Sequence, residues 1–184
     1  MARKESITLE NILTTAFEMT REEGYQNATA RKVAAKAGCS TQPIFRVYKN
    51  MEELSTAVYD KAVEFFRDYY DLYPRTSGVP FTNLGMAYIA FAREEKHLFE
   101  MLFLANLPFK KSLYEILNGD NGNVKVEITN AAQLGCKDAG AMFMQMWIMI
   151  HGIACMSLTG DYDLSEQETK AFLENSYSAF AANL

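Results

Sequence analysis

A chain of 184 residues with 49% hydrophobic content can bury one good core, or a small head and a larger body, which excludes a disordered protein. Its formal charge of -5 and pI near 5.1 exclude a protein that coats nucleic acid indiscriminately. The charge is nevertheless uneven: residues 1–50 hold eight Lys/Arg (Arg3, Lys4, Arg21, Arg31, Lys32, Lys36, Arg46, Lys49) against five Glu, a net of +3, so the remainder carries -8. That split predicts a basic contact face at the N-terminal end and a body that repels phosphate.

In chain order, Ser6 or Thr8 can cap a first helix with Leu9, Ile12, Leu13, Ala16 and Phe17 on one face and Gly24 at its end. Thr29 can cap a second, whose Val33, Ala34 and Ala37 point inward, and Gly38 supplies the permissive backbone of a sharp turn. Ser40 is the expected cap of a third helix, with Pro43 in its first turn, where a missing N–H costs little. Asn50 and Glu53 resemble a capping box that opens a long helix, Met51 to Tyr73, stopping before Pro74. Segments 74–80 and 118–123 read as loops. Helical spacing then predicts helices over Phe81–Arg93, Lys96–Leu107, Phe109–Leu117, Val124–Leu134 and Asp138–Leu158, and one opened by Ser165 with Glu168 and running to about Ala182. No strand alternation of convincing length appears, so the expected fold class is all-α: a three-helix head with a helix-turn-helix, residues 1–50, and a helical-bundle body, residues 51–184.

The helix pair around Gly38 has the layout of a DNA-reading helix-turn-helix, in which the second helix enters the major groove. Spacing turns Ile44 and Tyr48 toward the core with Ile12, Phe17 and Val33, and leaves Gln42, Phe45, Arg46 and Lys49 outside. Gln42 can pair bidentately with adenine and Arg46 with guanine, while Phe45 or Pro43 can touch a thymine methyl. Thr29, Arg31, Lys32 and Lys49 suit phosphates. The bland alternative is that short helices around a glycine occur in any helical protein.

Over some 45 residues the spacing resembles the DNA-binding domain of the TetR family of transcriptional regulators: Glu23-Gly24-Tyr25, Thr29, Val33-Ala34, Ala37-Gly38, Phe45-Arg46-Val47-Tyr48, Asn50 and Glu53-Leu54. The resemblance implies a homodimer, a head reading half a palindromic operator in double-stranded DNA per subunit, and a body that binds a small-molecule effector. It places Arg31 where the family can make a base contact, and Thr29, Thr41, Gln42, Pro43 and Phe45 on the DNA face. Three positions depart from it: Phe45 stands where tyrosine is common, Val47 where an aromatic or histidine is frequent, and Met51 where a phosphate-contacting lysine is common, a charge Lys49 can replace.

The body is rich in aromatics and methionine, which suit a pocket for an apolar or aromatic molecule and equally suit a bundle core. Given the family, the expected effector residues are Tyr88, Phe91, Phe103, Met142, Met146, Trp147 and His151. Trp147 to Gly152 resembles a tryptophan, histidine and glycine pattern in the penultimate helix of many members, which with the last helix forms a four-helix dimer interface. Gly152, Cys155 and Met156 permit close helix approach, and Phe172, Tyr177 and Phe180 give the last helix an apolar stripe.

Three scattered cysteines, Cys39, Cys136 and Cys155, indicate neither a disulfide framework nor a zinc site, and suggest reduced thiols in the cytoplasm. No apolar run near the start suits a signal peptide, and Ala141–Met149 is too short to span a bilayer, so no membrane is expected. The expected function is a ligand-responsive regulator, in the first instance a repressor. The alternatives are a protein-binding adaptor and a small helical enzyme; for the enzyme no convergent catalytic constellation, metal set or cofactor motif is visible, and the only histidines, His97 and His151, lie outside any HExxH pattern.

Overall fold

The computed structural model of the chain describes residues 8–119 and 121–184, which form helices and connecting loops with no strand among them, the all-α class expected. Ser6, the alternative first cap, and the basic residues Arg3 and Lys4 lie outside the described residues. The chain makes two compact units, one of residues up to Phe65 with Glu95–Lys110, the other of Phe66–Glu94 with Lys111–Leu184. The first unit therefore reaches beyond the head expected at residues 1–50.

In the first unit, α1 spans Leu9–Glu23, and the Thr8 hydroxyl caps it by accepting from Asn11 N–H at 3.2 Å. Ile12, Ala16 and Phe17 are buried as their spacing requires, but Leu9, in the opening turn, is 53% exposed. α2, Ala30–Lys36, and α3, Gln42–Val47, follow, and α4, Met51–Leu72, begins here and continues into the second unit. Glu53 N–H donates to Asn50 Oδ1 at 2.9 Å, and the Glu53 carboxylate accepts from Lys49 N–H at 2.6 Å, so the capping box closes one residue further back than expected. Val33, Ile44, Tyr48, Leu54 and Val58 complete the apolar interior.

The same unit holds α6, Lys96–Phe99, which runs on as a π-helical turn, Glu100–Leu104. The predicted helix Lys96–Leu107 is cut short there, since Pro108 disfavours helical backbone in the residue before it. Phe109, expected to open a helix, instead packs edge-on to Tyr59 at 5.6 Å. Arg21 of α1 makes a bidentate pair with Glu95, fixing α1 to the start of α6.

In the second unit the end of α4 joins α5 (Thr82–Glu94), α7 (Leu113–Asn118), α8 (Asn123–Gln133), α9 (Ala139–Thr159) and α10 (Glu166–Ala181). Capping boxes Ser112/Glu115 and Ser165/Glu168 set the starts of α7 and α10, and the Asp138 carboxylate caps α9. α5 packs on α9 and α10 so closely that a Cβ on Gly85 would stand 2.9 Å from both Ile150 Cδ1 and Leu173 Cδ1. α9 is 21 residues long and holds an 18-residue window of mean hydropathy 1.5, enough to cross a membrane by length and composition alone, a test that the core helix of a soluble protein also passes. Its inward residues Met142, Met146, Ile150 and Ala154 are buried in this unit.

Candidate nucleic-acid interface and effector region

The turn between α2 and α3 is built from main-chain bonds. Gly38, at φ +70°, ends α2 with Cys39 N–H on Ala34 O at 2.9 Å and Gly38 N–H on Ala35 O at 3.2 Å, the paired bonds of a Schellman motif that need a left-handed residue. Ser40 does not cap α3. Thr41 holds that position in helical conformation without a side-chain bond, so the helix starts one residue later than expected and the Thr41 hydroxyl is not used as a cap.

α3 is rotated by its own spacing. Ile44 (0% exposed) and Tyr48 (6%) fill the core, and burial pushes the Tyr48 phenol pKa up. Gln42, Arg46 and Lys49 are exposed beside Phe45, which is 48% exposed, while Thr41 and Pro43 are half-buried. Gln42, Phe45 and Arg46 thus share the outward surface of α3, and Lys49 is exposed just beyond its end. On α2, Thr29 is exposed and its hydroxyl accepts from Lys32 N–H at 3.4 Å, and Arg31 is exposed.

The basic residues divide into two groups that sequence spacing does not distinguish. Lys36 pairs with Glu22, Lys32 donates to Asn27 at 2.9 Å and lies 3.6 Å from Glu23, and Arg21 belongs to Glu95. Among the described residues, the side chains of Arg31, Arg46 and Lys49 make no ion pair or hydrogen bond. Within residues 8–50, the positive charge left for a phosphate backbone is therefore that of Arg31, Arg46 and Lys49. The Arg21–Glu95 pair joins residues 74 apart in sequence, and no local pattern announces it.

In the second unit the expected effector residues form a packed aromatic group. Trp147 stacks between Phe143 (6.4 Å) and His151 (5.8 Å) along α9, with Tyr88 edge-on at 4.9 Å, and Phe91 packs edge-on to Phe66 at 4.9 Å. Met142, Met146, Tyr88 and Phe91 are fully buried. Phe103, expected in the same wall, belongs to the first unit, where it packs on Phe99 at 5.0 Å. Burial raises the Tyr88 phenol well above its ordinary pKa, so it stays protonated, and its hydroxyl is hydrogen-bonded to His151 Nδ1 at 2.9 Å. The other ring nitrogen of His151, Nε2, faces Cys155 Sγ at 3.7 Å. Burial also raises the Cys155 thiol, which makes it a poor nucleophile.

Two clefts open elsewhere in this unit, of about 120 Å³ beside Tyr73, Arg93 and Glu166, and about 310 Å³ beside Ser77, Glu127 and Gln133. Neither is lined by the expected effector residues. Sequence reading passed over Glu127 because an acidic residue on an outer helix face carries no distinguishing signal.

The outer side of α9 carries Met144 (53% exposed), Ile148 (65%) and Met156 (45%) at four-residue spacing through Gly152. A Cβ on Gly152 would meet nothing within 4 Å, so the closeness that Gly85 needs inside the unit is not needed there. Cys155 is half-buried. On α10, Phe172 is 44% exposed and Phe180 half-buried, whereas Tyr177 turns inward onto Phe81, ring centroids 6.4 Å apart. Tyr177, expected in the outward stripe, is thus a core residue of its own unit.

A helical chain that presents a helix-turn-helix with an exposed, basic outer face belongs to the class of DNA-binding regulators. The family model described as bacterial regulatory proteins, tetR family, matches residues 12–58, and the one described as tetracyclin repressor-like, C-terminal domain, matches residues 81–180. The chain belongs to the TetR family of transcriptional regulators. Its fold is similar to that of a TetR-like transcriptional regulator from Rhodococcus sp. RHA1, with a TM-score of 0.64 at 13% identity over 95% of this chain and 96% of that one. It is similar also to a structure from Rhodococcus sp. assigned to the TetR family (TM-score 0.60, 13% identity, 94% and 97% covered). A third, assigned as a transcriptional regulator of Pseudomonas aeruginosa PAO1, has a TM-score of 0.59 at 14% identity, with 94% and 89% covered. At such identities these structures speak for the fold alone. No curated protein sequence matched the chain.

Proposed function

We propose that the protein is a cytoplasmic repressor that binds a palindromic operator as a homodimer and releases it when a small apolar or aromatic effector enters the body. The observation that carries this reading is the outward surface of α3, where Gln42, Phe45 and Arg46 stand exposed above a buried Ile44 and Tyr48. Gln42 and Arg46 read base edges, Phe45 and Pro43 meet thymine methyls, Thr29, Arg31, Thr41 and Lys49 hold phosphates, and Lys32 joins them by leaving Asn27 and Glu23.

The apolar outer side of α9, continued by Phe172 and Phe180, is the dimer face. It accounts for a helix that is apolar on both sides: one packs on α5 and the other on a second copy. The chain crosses between the two units at three places, the continuous α4, the Glu94–Glu95 junction that leads from α5 into the segment held by Arg21, and Lys110–Lys111, and the first two carry the state of the second unit to the first. An effector that wedges into the group around Tyr88, Phe91, Met142, Met146, Trp147 and His151 must repack it. A coupling of about 1 to 3 kcal/mol is enough to regulate operator occupancy.

The test is sedimentation of the wild type and Gly152→Arg, paired with their affinity for the selected operator. The wild type is expected to be a dimer. The variant, whose helix propensity improves, should be a folded monomer that binds operator on the order of a hundredfold more weakly, since bivalency is lost. A Gly152→Arg protein that remains dimeric would move the interface elsewhere.

A further inference from the structure

α5 begins in an unusual way. Phe81 is the one non-glycine among the described residues with positive φ, at +65°, a strained conformation for an aromatic residue that has to be held in place. It is held by Glu127 of α8, whose carboxylate accepts from Phe81 N–H at 2.6 Å. The Phe81 ring is buried against Phe143 of α9 and Tyr177 of α10, so the strain at this corner is tied to the helices that carry the apolar face.

Glu127 is half-buried and has no ion-pair partner among the described residues. Arg75 attracts it through space but directs its guanidinium to the Tyr70 carbonyl, 3.1 Å away, and to the Tyr70 ring, 4.2 Å from its centroid. Burial raises the Glu127 pKa, the sign of a carboxylate whose charge is incompletely compensated. This carboxylate lines the cleft of about 310 Å³, within the size range of small-molecule sites.

One wall of the cleft is the α8 face bearing Asn130 and Gln133; the other is the Ser77–Pro80 loop, with Val79, Pro80 and Leu134 adding apolar surface. The loop is pinned by Asn83, itself on the cleft wall, and by Glu174. Asn83 Oδ1 accepts from Thr76 and Ser77 N–H, both at 3.0 Å, Asn83 Nδ2 donates to Ser77 O at 2.7 Å, and the Ser77 hydroxyl donates to Glu174 at 2.6 Å. The site is therefore preorganised.

We infer that this cleft is a second ligand site, separate from the aromatic group of α5 and α9, and that it takes a small organic monocation with planar N–H donors and a short apolar tail. The cationic head pairs with the Glu127 oxygen that Phe81 leaves open, the amide oxygens of Asn130 and Gln133 accept its remaining N–H groups, and the tail lies on Val79, Pro80 and Leu134. Charge compensation at Glu127 leaves the Phe81 bond in place, so occupancy reinforces the start of α5.

The probe is N-butylguanidinium, against its neutral counterpart N-butylurea, followed by amide chemical shifts of the full-length protein. The cation should shift the Gly78, Phe81, Asn130 and Gln133 signals with a dissociation constant on the order of millimolar, as expected for a ligand of about eight heavy atoms. N-butylurea should bind at least about tenfold more weakly, because it cannot form the charge-assisted bond. Glu127→Gln, which can still accept from Phe81, should lose the preference for the cation. Leu134→Lys, at a position 67% exposed and so harmless to folding, should weaken cation binding by repulsion. Equal binding of the two probes, no shift at these residues up to tens of millimolar, or unchanged affinity in both variants would overturn the assignment.

Discussion

In the first unit the residues that matter are those that packing leaves alone: Gln42, Phe45 and Arg46 stand out from α3, with Lys49 exposed just beyond its end, because Ile44 and Tyr48 are committed inward. In the second unit the aromatic and thioether side chains proposed to meet an effector are themselves the packing, with Tyr88, Phe91, Met142 and Met146 buried to the last atom or nearly so. A rigid surface can read DNA without cost to its own core. A responsive interior must give up native contacts to admit its ligand, and the same interactions set both its stability and its threshold for switching.

Substitutions can break this contrast, and the largest effect is expected in the interior. Phe91→Ala removes a ring packed on Phe66 and Tyr69 and should destabilise the protein by about 3 to 5 kcal/mol in denaturant unfolding. If an effector occupies that group, the variant should also bind an apolar ligand in the new cavity. Arg46→Ala should leave unfolding unchanged and cost about 1 to 3 kcal/mol of operator binding at one base position, seen as relaxed sequence preference in a binding titration. Lys49→Ala should instead weaken all sequences alike and reduce the log-log salt slope by about 0.9. An Arg46 variant as destabilised as the Phe91 variant would erase the distinction between the two regions.

A smaller effect sharpens it. The Thr82 hydroxyl is fully buried and finds no hydrogen-bond partner among the described residues, so Thr82→Val should raise stability by about 1 kcal/mol. Smallest are the acid effects, and their signs oppose. Hydrogen bonds from the Ser165 hydroxyl and N–H hold the Glu168 carboxyl below its usual pKa; that contribution is present above the ordinary carboxylate pKa, about 4.3, and is lost as pH falls through the depressed value. Glu127, raised by burial, contributes in the other direction: its stabilisation is complete below the ordinary pKa and lost as pH rises through the elevated one. In denaturant unfolding as a function of pH, Glu168→Gln should therefore lose less stability on acidification than the wild type, and Glu127→Gln should gain less.

What could be read in advance follows the range of the forces involved. The head was legible from periodicity, Thr8 and Thr29 as caps, and the Gly38 turn, all interactions within a few residues. Ser40 and Thr41 are both competent caps, and only the turn geometry decides where α3 begins. Beyond residue 95 the reading weakened because the determinants are distant. Arg21 holds Glu95, Tyr59 receives Phe109, and Phe81 draws Tyr177 away from the outward stripe. The composition that suits an effector pocket is also the composition of a bundle core, so sequence could name the aromatic group without saying whether it is open. Glu127 had no signal at all, since its role depends on a strained residue 46 positions away.

Selection of genomic DNA fragments by the purified protein at physiological salt puts the proposed function to its most direct test. The wild type should enrich a palindrome whose half-sites lie about one helical turn apart, roughly 34 to 36 Å, and Arg46→Ala, while remaining folded, should enrich a palindrome that has become degenerate at the base pair Arg46 reads. Recovery of no sequence above random DNA by a folded wild-type dimer, or the same palindrome from both proteins, would contradict it.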